Sequence, residues 1–162
     1  MMKRFFLTAA ATAAFSLAAT AHAQTLRFAS QGDPQTMDPH SQNESFTNSV
    51  NQQVYEYLVG RDKQTTIVPG LATSWEQLSP LKWRFKLRQG VKFHDGSTFN
   101  ADDVVYSINR AKEPTSQIAV YGNAVGTPKK IDDYTVEFEM TKVNPIFLEH
   151  IAPLFIMDKE WS

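Results

Sequence analysis

The 162 residues contain no cysteine. That excludes disulfide staples and every metal site built on thiolates. Glycine is scarce: the seven present form neither a P-loop nor a dinucleotide fingerprint, and no serine lies in a Gly-x-Ser-x-Gly frame. There is no basic block. Sixteen Lys and Arg stand against seventeen Asp and Glu, and no aromatic-plus-arginine stripe could follow a phosphate backbone, so nucleic acid is not expected as a partner. After the opening segment no uninterrupted run of about eighteen apolar residues occurs. The nearest, 146–157, is broken by Glu149, His150 and Pro153. Internal repeats and low-complexity tracts are likewise missing there.

What the sequence does have begins at its first residue. Met1-Met2-Lys3-Arg4 is a positive start, Phe5-Phe6-Leu7 leads an alanine-rich apolar stretch, and Ala21-His22-Ala23 is a small-x-small cleavage pattern. Together they predict a Sec-type signal peptide over 1–23. A membrane anchor is the competing reading, but the apolar run is short for a bilayer and ends in a cleavage pattern. Cleavage after Ala23 would leave Gln24 first. A lipoprotein needs Cys there, so an unlipidated periplasmic protein is expected. Without Lys3 and Arg4 the basic residues fall to 14 against 17 acidic ones, a formal charge of −3. The 139 residues from Gln24 onward suffice for one ordinary core.

Periodicity divides the rest. Leu26 and Phe28 alternate with polar neighbours over 25–30, the pattern of a short strand. Gln31-Gly32-Asp33-Pro34 and Asp38-Pro39 punctuate a loop. From Ser45, the spacing of Phe46, Val50, Val54, Tyr57 and Leu58 predicts a helix of roughly three to four turns, with Gly60 as its C-cap. Pro69-Gly70 turns the chain into a strand over 72–78 carrying Trp75. Residues 81–88 hold the clearest pattern. Leu81, Trp83, Phe85 and Leu87 predict a buried face, and Lys82, Arg84, Lys86 and Arg88 a solvated one. Each of those four apolar residues is expected to contribute on the order of 1.5–3 kcal/mol on burial.

Gln89-Gly90 and Asp95-Gly96 mark turns on either side of 91–94. Asn100 is placed to cap a helix that buries Val104, Val105, Ile108 and Ala111, with Asp102 and Asp103 complementing its dipole and Pro114 just past its end. Residues 134–140 alternate as a strand, and Asn144-Pro145 opens a short helix that ends before Pro153. The order predicts a mixed α/β fold with largely antiparallel hairpins. The sequence stops soon after Phe155-Ile156 without a closing element, and its first strand has no obvious partner; both suggest part of a longer protein.

Catalytic chemistry finds little footing. His40, His94 and His150 include no i, i+4 pair, and there is no His-Glu-x-x-His motif, so no metal site is expected. His94-Asp95 are neighbours whose side chains would point to opposite faces of a strand, and Asp95-Gly96 is explained as a turn. Asp102 and Asp103 diverge by about 100° on a helix. No catalytic residue, metal ligand or cofactor is assigned.

Three stretches carry a resemblance: residues 69–76 (Pro-Gly-Leu-Ala-Thr-Ser-Trp-Glu), residues 83–96 from Trp83 through Leu87-Arg88-Gln89-Gly90-Val91-Lys92-Phe93-His94-Asp95-Gly96, and residues 99–107 with Ala101-Asp102-Asp103-Val104-Val105. Together with Met37-Asp38-Pro39-His40 and the signal peptide, they resemble the family 5 extracellular solute-binding proteins, which include the periplasmic oligopeptide- and dipeptide-binding proteins. The resemblance covers essentially the whole chain after the signal, but only the opening part of the family's length. It implies the N-terminal fragment of a two-lobe fold of the periplasmic binding protein type II kind, with an additional α/β domain. Residues 24–47 would be the first strand and loop of ligand-binding lobe I, 48–155 the additional domain, and 156–162 the start of the return to lobe I. Trp75, Trp83, Phe85, Leu87, Gly90, Phe93, Asp95, Gly96, Ala101, Asp103 and Val104 match the family's scaffold motif, which marks the fold and does not touch ligand. One departure is Leu78-Ser79-Pro80, where many relatives carry a charged, glycine-containing turn.

The segment similar to the family's ligand-contacting loop is 42–46, with Asn43, Glu44, Ser45 and Phe46 as candidate binding residues. Its backbone and short polar side chains could pair with an extended ligand as an added strand. Equally, Asn43 or Ser45 could simply cap the following helix. The implied function is the substrate-binding component of an ABC importer: a monomer that binds a peptide or similar small solute and delivers it unchanged to permease subunits in the inner membrane. Sugars, nickel complexes, opines and haem are other solutes the family takes. A freestanding interaction module and a periplasmic hydrolase relying on His94 or Asp95 are the competing readings.

Overall fold

The computed structural model describes residues 29–30 and 32–160; the expected signal peptide and the strand expected over 25–30 lie outside these, apart from Ala29 and Ser30, which are in no strand. The elements in order are α1 (Ser45–Asn51), β1 (Glu56–Tyr57), β2 (Val59–Arg61), β3 (Ile67–Pro69), β4 (Ala72–Ser79), β5 (Lys82–Leu87), α2 (Ala101–Ala111), α3 (Ala119–Ala124), β6 (Thr127–Asp132), β7 (Thr135–Glu139), α4 (Phe147–Ile151) and β8 (Phe155–Ile156). The mixed, antiparallel α/β class expected from the sequence is what folds. Strands β4-β5-β7-β6 form one four-stranded antiparallel sheet, while β1 pairs with β8 and β2 with β3.

Alternation decides the sheet. Trp83 lies opposite Phe138, and Phe85 opposite both Trp75 and Val136, so these side chains share one face. Phe85, Val136 and Phe138 are fully buried. Phe147 of α4 closes over them, stacked on Trp83 at 5.1 Å between ring centroids and edge-on to Phe138 at 5.7 Å. On the other face the cations of β5 meet acids of their neighbours: Arg84 Nη2 lies 2.6 Å from Glu137 Oε1, and Lys82 Nζ 3.7 Å from Glu137 Oε2. The solvated face is therefore also ion-paired. The Glu137 carboxyl is held below its ordinary value, chiefly by the Arg84 hydrogen bond.

The 101–111 helix forms as its cap signal predicts. Asn100 Oδ1 accepts from the Asp102 N–H at 2.7 Å, and Asp103 Oδ2 accepts from the Asn100 N–H at 2.8 Å, a reciprocal capping box. Ala101, Val104, Ile108 and Ala111 face the core, whereas Val105 is only half-buried. The helix packs on β6, β7 and β8.

Two expectations are corrected. The helix from Ser45 stops at Asn51, and Gly60 lies in β2 and caps nothing. Tyr57 is drawn into pairing with Phe155, its ring stacked on that residue's at 4.4 Å, and Val59 pairs with Pro69. Valine and tyrosine are weak helix formers, so strand partners override the helical spacing. Leu81 is the second correction. It precedes β5 at a turn and is 39% exposed, so the buried face begins at Trp83, itself only half-buried.

Candidate functional site

The scaffold motif folds as a tight turn followed by the capped helix. Gly90 and Gly96 hold positive φ, +74° and +93°, which a side chain at either position would strain. Lys92 bridges to Thr98, the Gly96 N–H donates to the Phe93 carbonyl at 3.0 Å, and Asp95 Oδ1 accepts from the Ser97 N–H at 2.8 Å. His94 and Asp95 are both exposed, and the Asp95 carboxylate is occupied by the turn it shapes. Phe93 and Phe99 meet edge-on at 6.2 Å. The Ser97 hydroxyl donates to Asp158 Oδ2 at 2.7 Å, tying the turn to the segment after β8.

Asp102 and Asp103 go separate ways. Asp102 pairs with Lys130 at 2.9 Å and Lys159 at 3.7 Å. Asp103 is buried, serves the capping box and accepts from the Lys159 N–H at 3.2 Å; burial raises its pKa. Trp75, Trp83, Phe85, Leu87, Ala101 and Val104 belong to the core and its margin.

The segment 43–46 leads into α1. Neither Asn43 nor Ser45 is the cap. Glu44 is: its two carboxylate oxygens accept from the N–H groups of Phe46 and Thr47, each at 2.8 Å, and from the Thr47 hydroxyl at 2.9 Å. The longer carboxylate reaches donors that Asn or Ser would take singly, and those bonds hold its pKa down. Asn43 and Ser45 are left exposed, Phe46 half-buried, and the Asn43 amide oxygen accepts from Asn48 Nδ2 at 3.3 Å.

Just upstream, sequence reasoning missed a polar joint. Asp38 accepts from both Arg110 Nη atoms, at 2.9 and 2.7 Å, and the Arg110 hydrogen bond holds its carboxyl below the ordinary value. His40 is 2% exposed, with Nε2 3.2 Å from the Phe155 carbonyl oxygen. The only available signal was Met37-Asp38-Pro39-His40 itself; its partners lie about seventy and more than a hundred residues onward. A groove of about 710 Å³ opens beside this joint, its apolar wall formed by Tyr55, Leu71, Val91, Phe93 and Ile156 and its rim carrying Asp38, Lys92 and Arg110. Residues 43–46 do not line it. Among the described residues, no cluster of His, Asp and Glu could hold a metal ion, and no helix is long and apolar enough to cross a membrane.

The fold is shared with an ABC transporter substrate-binding protein, CtaP from Listeria monocytogenes, with a TM-score of 0.69 at 30% identity over 80% of this chain and 27% of that one. The sequence model for bacterial extracellular solute-binding proteins, family 5 Middle, matches residues 66–161, and the chain belongs to that family. It is 33% identical to the dipeptide-binding protein of Escherichia coli (strain K12), over 92% of this chain and 32% of that protein. It is 30% identical to the glutathione-binding protein GsiB of Pectobacterium atrosepticum, over 94% of this chain and 30% of that protein. Among solved structures, NikZ from Campylobacter jejuni in complex with Ni(L-His) superposes with a TM-score of 0.71 at 26% identity, covering 80% of this chain and 26% of that one. The chain spans about a third of the length of the curated relatives it matches.

Proposed function

We propose that the chain is the opening part of a periplasmic receptor that captures a peptide or similar small solute and passes it unchanged to the permease of an ABC importer. The observation that carries this is 33% identity to a dipeptide-binding protein, running over 92% of the chain and through the whole scaffold motif. In this reading residues 1–23 are the export signal, 24–47 and 156–162 belong to a ligand-binding lobe, 48–155 form the additional domain, and the receptor works as a monomer. In this reading it is a binder and not an enzyme, which agrees with Asp95 shaping a turn and the Asp102 carboxylate being engaged by lysines.

Residues 43–46 are the solute-facing segment of this proposal. Glu44 spends its carboxylate on the chain and so fixes the backbone direction, leaving the short side chains of Asn43 and Ser45 exposed beside it. An extended peptide laid along them would add as a strand. Solute binding would then shift an open–closed equilibrium of the two lobes.

The test uses the protein as its host exports it. Receptor purified from the periplasm is weighed intact and titrated calorimetrically with dipeptides, tripeptides and glutathione. The proposal expects a polypeptide about three times the length of this chain, as the coverage of its relatives implies, and saturable binding of at least one peptide class. A polypeptide matching Gln24–Ser162 with no peptide binding would overturn it.

A further inference from the structure

Because the Phe155 carbonyl can only accept, the His40 proton sits on Nε2, and Nδ1 is left buried with no hydrogen-bond partner among the described residues. The His40 N–H donates to Asp38 Oδ1 at 3.0 Å. Its carbonyl accepts from the Gln117 N–H at 2.9 Å and the Ser116 hydroxyl at 3.3 Å. One residue thus joins the segment before α1 to β8 and to the loop after α2, while Asp38 joins the same segment to Arg110 on α2. The neutral ring fits in a single tautomer. A second proton would have to sit on Nδ1, where no acceptor meets it.

The charged and titratable surroundings are few. Asp38 faces the ring from its own segment and Arg110 from α2. The Tyr55 hydroxyl, donating to the Met37 carbonyl at 3.0 Å, feels both, and Tyr106 and Glu113 act on Arg110. The contacts that β8 and residues 116–117 make with His40 are uncharged.

We propose that His40 is an acid-released latch: protonation of the buried ring detaches residues 39–42 from β8, while the Asp38–Arg110 pair and the four-stranded sheet stay in place. Burial, the dominant influence, pushes the ring pKa down from 6.5 to about 4; the Phe155 hydrogen bond opposes this and Arg110 adds to it. A basic group depressed in this way is held neutral by the fold. The latch is fully closed above 6.5, and its contribution is lost as pH falls from 6.5 towards about 4. The Arg110 hydrogen bond holds the Asp38 carboxyl below its ordinary value and so favours the ion pair as pH falls. Residues 39–42 run straight into 43–46. Any effect on solute rests on the proposed role of that segment, whereas the latch itself does not.

The test is a pH titration of the full chain without solute, from about pH 7.5 to about pH 3.5, followed by nuclear magnetic resonance of backbone amides and histidine rings. The His40 ring is expected to titrate well below 6.5. The amides of 40–42 should shift in the same step, and those of 83–86 should remain in place. His40→Gln, which keeps a donor for the Phe155 carbonyl but cannot titrate, should abolish the step. Ring titration near 6.5, amides of sheet and segment moving together, or an unchanged step in His40→Gln would each overturn the latch. Should that variant not fold, the wild-type titration decides alone, because the sheet amides separate local release from global unfolding.

Discussion

Around Phe85 three aromatic rings, those of Trp75, Phe138 and Phe147, lie with centroids at 5.5–6.2 Å, and the residue is fully buried. Around His40, which is also out of water, the contacts are single hydrogen bonds to a carbonyl, a carboxylate, an N–H and a hydroxyl. The sheet is held by apolar area spread over many side chains. The seam between residues 37–44, α2 and residues 155–159 adds individual polar pins to its apolar contacts: Asp38 on Arg110, His40 on Phe155, Ser107 on Met157, Asp103 on Lys159. Area is lost gradually as atoms are removed, but a buried polar group deprived of its partner carries its whole desolvation cost. The sheet should therefore degrade in proportion to volume lost, and the seam one bond at a time.

Phe85→Ala tests the first half of that contrast and should have the largest effect. Removing the ring that three others touch is expected to cost about 3–5 kcal/mol in denaturant unfolding. A loss below about 1 kcal/mol would mean that the aromatic cluster collapses freely to fill the gap. Ser107→Ala tests the second half. The Ser107 hydroxyl is fully buried, donates to the Asp103 carbonyl at 2.7 Å and accepts from the Met157 N–H at 2.8 Å. Its loss orphans that N–H at a cost of about 1–3 kcal/mol, and hydrogen exchange should quicken at Met157 before it does at Phe85. Equal acceleration at both sites would erase the distinction. Leu81→Ser should change stability least, by no more than about 0.5 kcal/mol, because that side chain is 39% exposed. A larger loss in thermal melts would restore it to the buried face that simple alternation suggests.

The two regions also differed in how readily they could be read. Trp83, Phe85 and Leu87 alternate with cations, and Asn100-Ala101-Asp102-Asp103 places a cap ahead of a periodic apolar face; both signals are local and both elements formed as expected. The seam left no such trace. Tyr57 looked helical because nothing nearby discloses that Phe155 will pair with it. Glu44 took the cap from Asn43 and Ser45 because carboxylate reach decided the matter, and capping preferences alone do not register reach. Strand β6 was missed since Thr127-Pro128-Lys129-Lys130 shows little alternation. Its proline is tolerated because β6 lies at the sheet's edge, where one row of N–H groups needs no partner. In the candidate site, the segment 43–46 was singled out by resemblance alone. The joint beside it was not legible, because Arg110 reads as one more solvated cation on a helix.

The antiparallel pairing of Glu56 with Ile156 and of Tyr57 with Phe155 has a kinetic consequence. It closes a loop of about a hundred residues, and the entropy of closure grows only as the logarithm of that length, so the cost is modest. The β4–β5 and β6–β7 hairpins, with their short turns, can zip without waiting for it. The sheet can thus be in place before residues 155–160 return to the strand the chain left at Tyr57.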